Sequence, residues 1–128
     1  MKVNSLVLKP NFVCSLAIAA LALLTAGCST IHSNLTIEPG QQFVLGGGSR
    51  GAFVVDAVNV GPVSVSVAQR LSSGQVVSLG KLSPGQSDQL RFPAGAAALL
   101  ENHDAQAAKL SLKIRGDTDL GMRYESTP

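Results

Sequence analysis

Hydrophobic and polar residues follow two different patterns along this chain of 128 residues. From Phe12 to Leu24 the string FVCSLAIAALALL is apolar almost without a break, Cys14 and Ser15 being the departures. From Leu35 onward the period is two. Val63, Val65 and Val67 alternate with Ser64, Ser66 and Ala68, and Leu110, Leu112 and Ile114 alternate with Lys109, Ser111, Lys113 and Arg115. Leu120, Met122 and Tyr124 alternate with Gly121 and Arg123. Such alternation buries one side-chain row and wets the other, as in a half-buried antiparallel strand.

Turn-forming strings separate these runs. They are Pro39-Gly40, Gly46-Gly47-Gly48, Gly61-Pro62, Ser72-Ser73-Gly74, Ser83-Pro84-Gly85, Pro93-Ala94-Gly95, His103-Asp104 and Gly116-Asp117. The spacing predicts strands near 35–38, 41–45, 51–60, 63–71, 76–80, 87–92, 96–102, 107–115 and 119–125. The expected fold is therefore all-β, a small antiparallel β-sandwich of eight or nine short strands. Pro84-Gly85 suits the centre of a type II turn, where proline sets φ and glycine accepts a positive one. Glu38-Pro39-Gly40-Gln41 recurs as Ser83-Pro84-Gly85-Gln86, and Asn59 and Asn102 each stand ahead of an alternating run. The two spacings differ by two residues, which leaves two matched halves and coincidence both open.

Residues 1–27 read as an export signal. Lys2 and Lys9 open it with positive charge, and its apolar run of about 13 residues falls short of the ~20 that span a bilayer. It ends in Leu24-Thr25-Ala26-Gly27-Cys28. This string resembles the lipobox of bacterial lipoprotein signal peptides, with Thr25 where leucine is commonest in that family. The resemblance implies a diacylglycerol on the Cys28 sulfur, cleavage after Gly27 and acylation of the new amino group. One acyl chain holds a protein to a membrane marginally and two hold it stably, so the lipid bilayer is the expected partner through Cys28. Ser29 in place of an aspartate implies, by the family's sorting rule in diderm bacteria, an outer-membrane destination facing the periplasm. The expected organisation is a helical signal peptide over 1–27, a lipidated cysteine and short polar tether over 28–34, and the sandwich over 35–128.

Charge and chemistry narrow the rest. Beyond Lys2 and Lys9 the acidic and basic side chains balance, which argues against a nucleic-acid partner. Cys14 leaves with the signal, so the mature chain forms no internal disulfide. His103-Asp104 could serve a hydrolase with Ser72, Ser73 or Ser83, yet no nucleophile-elbow string is present, and a hairpin tip is the expected setting. Asp117-Thr118-Asp119 lacks the further oxygen ligands of a calcium loop. Leu45 to Gly51 is glycine-rich without the lysine of a phosphate loop, and Asn34-Leu35-Thr36 is a glycosylation sequon that carries no weight in a bacterial lipoprotein.

The expectation is a non-catalytic interaction or accessory module, with no metal and no cofactor. A protein partner would meet an open sheet edge or face. Lys109, Lys113 and Arg115 share one wet face, read first as a solvated face, with an aggregation guard or a contact for anionic lipid heads as the alternatives. The alternative is a ligand-binding lipoprotein taking a small molecule or glycan through loops 46–51 and 103–106.

Overall fold

The computed structural model describes residues 30–48 and 50–127; the signal and Cys28 lie outside the described residues. The described part is an antiparallel β-sandwich of nine strands. These are β1 (Thr30–Ile37), β2 (Gln41–Gly46), β3 (Phe53–Asn59), β4 (Val65–Arg70), β5 (Val76–Leu82), β6 (Ser87–Phe92), β7 (Ala97–Glu101), β8 (Ala108–Gly116) and β9 (Met122–Ser126). One sheet has the order β9-β2-β7-β4-β5 and the other β1-β8-β3-β6.

The strands coincide with the expected ones to within a few residues, except at the start. β1 begins at Thr30, so Thr30–Asn34 is strand rather than tether. These residues pair with Ser111–Arg115 of β8. Ser33 occupies an inward-facing place between Ile31 and Leu35, which breaks the apolar alternation and hides the strand.

Sheet membership alternates along the chain. The β4–β5 connection is a hairpin, and every other connection between described strands passes from one sheet to the other. His103 therefore sits on the β7–β8 crossing between sheets, not at the expected hairpin tip.

The four-stranded order β1-β8-β3-β6 maps onto β5-β4-β7-β2, which is the five-stranded sheet without β9. The sandwich is thus two matched halves related by an approximate twofold, with β9 added on one edge. The hydrogen bonds repeat as well. Asn59 Nδ2 donates to the carbonyls of Val63 (2.8 Å) and Leu82 (2.9 Å), and its Oδ1 accepts from the Gly61 amide (3.0 Å). Asn102 Nδ2 donates to Gln106 (2.8 Å) and Ile37 (2.8 Å), and its Oδ1 accepts from the Asp104 amide (2.9 Å).

Each asparagine also holds one Pro-Gly-Gln turn through its backbone. The Gly85 amide donates to the Asn59 carbonyl and the Asn59 amide to that of Gln86; Gly40, Asn102 and Gln41 repeat the pattern. The Gln41 and Gln86 side chains accept the amides of Glu38 and Ser83. Gly40 and Gly85 take φ of 77° and 81°, as the type II reading requires. Both carboxamides are fully buried with every donor and acceptor placed.

These turns and crossings share one end of the sandwich, the asparagine end. The opposite end carries Thr30, the loops after β2, β6 and β8, and the β4–β5 hairpin. There the core closes with Phe53 stacked on Phe92, ring centres 5.1 Å apart. Gly46 turns the chain beside them at φ 94°, and a Cβ would come within 2.9 Å of the Ala96 carbonyl and 3.1 Å of the Phe53 ring.

Removing either carboxamide strands three backbone groups in the interior. Asn59→Ala and Asn102→Ala are each expected to lower unfolding free energy by about 2–4 kcal/mol. Urea denaturation measures this, and near-equal losses at the two sites are expected from the matched geometry.

Candidate functional site

The outer face of the five-stranded sheet is not simply wet. Val44, Leu99, Ala97 and Ala68 point away from the space between the sheets, yet none is more than 7% exposed. Across this row Arg123 pairs with Val44, Val44 with Leu99, and Leu99 with Ala68. Arg70, at the end of β4, reaches Glu125 on β9 with a 3.4 Å contact. Strands β7 and β2 lie between them, so the Arg70 side chain must arch over the apolar row. Its methylenes and those of Arg123 serve as the lid.

Glu125 is the acceptor that fixes this clasp. Its Oε2 takes the Arg123 Nε and terminal nitrogen, both at 2.9 Å, and its Oε1 takes Gln42 Nε2 at 3.0 Å. The Gln42 bond first, then Arg123 and Arg70, hold the Glu125 carboxyl below its ordinary value against the opposing effect of burial. Gln42 Oε1 is buried without a partner.

An open cleft of about 380 Å³ adjoins the clasp at the Thr30 end. Arg70, Arg123 and Ala97 form one side, and Gly47, Gly48, Ser72, Gly74 and Gly95 form much of the rest. Loop 46–51 thus contributes Gly47 and Gly48. Loop 103–106 lies at the asparagine end, since Gly46 pairs with Ala97 while Gln42 pairs with Glu101. The two loops expected to share a ligand site are at opposite ends and build no common pocket.

The remaining residues singled out from the sequence lie apart in loops and turns, and His103 and Asp117 are held there by bonds. His103 is exposed and lies 2.8 Å from Glu101 Oε1. Ser72 and Ser73 are in the hairpin at the other end, and Ser83 opens a Pro-Gly-Gln turn. Asp117 ties two loops together: Oδ2 accepts the Arg50 and Gly51 amides and Oδ1 the Asp119 amide, each at 3.0 Å. Those amides hold its carboxyl below the usual range. Among the described residues no three His, Cys, Asp or Glu side chains converge as a metal site.

Lys109, Lys113 and Arg115 do share the outer face of the four-stranded sheet, with Arg115 paired to Asp56 at 3.1 Å. Gln89 chiefly, with Arg115 behind it, lowers the Asp56 pKa. The clasp itself carries no local signal in the sequence, because Arg70 and Glu125 are separated by 55 residues. No protein-family model matches the chain, and no curated protein matches it.

Three carboxyls with lowered pKa values predict acid sensitivity of a definite sign. Their stabilisation is complete above the ordinary values of 3.8 for Asp and 4.5 for Glu and is lost as pH falls through the depressed folded ones. Denaturation midpoints measured across the acid range should therefore drop below about pH 4.5. Glu125→Gln should make that drop shallower, while costing less than about 1 kcal/mol at neutral pH because the group is partly solvated.

Proposed function

We propose that the chain is a lipid-anchored envelope protein, a non-catalytic interaction or accessory module moored through an acylated Cys28. The observation that carries this reading is the string Leu24-Thr25-Ala26-Gly27-Cys28 at the end of a short apolar run. Its position adds support. Strand β1 begins at Thr30, so the acylated residue stands two positions ahead of the folded sandwich. Two extended residues reach at most about 7 Å, which keeps the body against the membrane surface. The family's sorting rule for Ser29 favours the outer membrane and the periplasmic side.

The module reading is supported by how the polar residues are used. His103, Asp104 and Asp117 are engaged in turn and loop bonds, and the cleft is lined by glycines and arginines. Four sheet edges, formed by β9, β5, β1 and β6, remain for a strand-adding partner. Of these, β1 is the longest and carries neither a bulge nor an acidic or lysine guard residue.

Mass spectrometry of the mature protein tests the mooring. The expected amino terminus is Cys28 bearing two or three acyl chains; a free Ser29 or Thr30 terminus would remove the assignment. Cys28→Ser is expected to abolish both processing at this site and retention in washed membranes.

A further inference from the structure

The charges of the sandwich are sorted by end. Every arginine of the chain faces the Thr30 end: Arg50 in the loop after β2, Arg70 closing β4, Arg91 and Arg115 next to last in β6 and β8, and Arg123 on the wall of the cleft. The acidic groups near them are Asp56, already paired with Arg115, Glu125, shared by Arg70 and Arg123, and Asp117 and Asp119 in one loop. The asparagine end holds Glu38, Asp88, Glu101 and Asp104, with Lys81 and Lys109 as its basic groups; Lys113 lies mid-strand opposite Asp56. A domain that is neutral overall is therefore positive at one end and negative at the other.

The chain enters at the positive end. Thr30 pairs with Arg115, so whatever precedes β1 leaves the sandwich beside Arg115 and Arg91, with Val54 between them. We propose that the Thr30 end is a lipid-facing surface that takes anionic headgroups, with the cleft between Arg70 and Arg123 receiving a headgroup phosphate. This rests on the lipoprotein reading, which places that end at the bilayer, and adds a second, electrostatic hold.

The chemistry of the cleft fits a phosphate. Arg70 and Arg123 share one carboxylate, Glu125, which leaves the trio with net positive charge and further guanidinium donors for phosphate oxygens. Gly47, Gly48, Gly74 and Gly95, all at positive φ, present no side chain to obstruct the approach of a headgroup. Arginine stems suit apolar surface while their heads stay at the wet interface, and Val44 and Leu99 are buried in register between the strands that carry Arg123 and Arg70. Each basic side chain held near an anionic surface contributes about 1 kcal/mol, and salt screens it.

The test uses the mature protein purified with its anchor and set in vesicles of phosphatidylcholine, with or without phosphatidylglycerol. A fluorophore is placed at Gln75→Cys in the β4–β5 hairpin or at Ala105→Cys at the asparagine end, and quenching by a headgroup-nitroxide lipid is measured. The Gln75 label should be quenched at least about twofold more strongly with phosphatidylglycerol present, and the difference should vanish at high salt. The Ala105 label should be unaffected in both lipids. The double variant Arg70→Gln, Arg123→Gln should lose the lipid dependence while staying anchored, and Arg50→Gln, on an exposed loop, should lose part of it.

Equal quenching of the Gln75 label in the two lipids, or stronger quenching at Ala105, overturns the proposal. The amino-terminal mass of the same sample reports separately on the anchor. If Cys28 is unmodified, the lipoprotein reading fails. The labelled proteins are then added to preformed vesicles, where a phosphatidylglycerol-dependent signal at Gln75 upholds the surface and its absence overturns it.

Discussion

Asn59 and Asn102 each satisfy three backbone groups where the chain leaves one sheet for the other, and the remaining structure is arranged around that requirement. A crossing strips amides and carbonyls of their ladder partners in the interior, where an unpaired group is costly. One carboxamide supplies two donors and one acceptor at the distances needed, and its own backbone holds the adjacent Pro-Gly-Gln turn. Because the same solution is used twice, eight strands fall into two matched sets and the sheet orders become superimposable. Gly61 shows how tightly the arrangement is built, since a Cβ there would lie 2.6 Å from the Lys109 nitrogen.

Fixing one end by buried polar bonds leaves the two ends physically different. The asparagine end is hydrogen-bonded throughout its crossings, acidic and closed by short turns. The opposite end is closed by the Phe53–Phe92 stack and carries the glycine loops, the hairpin, the cleft and the arginines. The ninth strand adds to this asymmetry. It brings Arg123 and Glu125 to the sheet edge, and through Arg70 their clasp covers an apolar row that would otherwise face solvent. A large uncovered apolar patch on a small domain invites association.

The sequence revealed strands where one face is wet, because alternation is then strict. Leu110, Leu112 and Ile114 against Lys109, Lys113 and Arg115 is such a case, and β8 runs where that pattern places it. It was less clear at β7, where Ala97 to Leu100 are apolar in succession, since the arginine clasp buries their outer face too. It was misleading at Thr30–Asn34, where an inward serine makes a strand resemble a tether.

Sheet membership was not legible at all. Alternation tells which side chains are buried, not against which sheet, so the crossing at His103 looks in sequence like a hairpin. The repeated Pro-Gly-Gln strings and the two asparagines were visible, but their meaning lay in bonds to residues such as Leu82 and Ile37, 23 and 65 positions away. The cleft was half visible in its glycines; its arginines come from strands whose adjacency no local pattern encodes.

Native-state hydrogen exchange measures the role of the two asparagines most directly. The backbone amides of Asn59 and Asn102, which donate to Gln86 and Gln41, should exchange only through global unfolding, with protection equal to that of central β3 and β8 amides. Exchange of either amide through a local opening, well below the global unfolding free energy, would contradict the claim that these residues hold the two halves of the sandwich together.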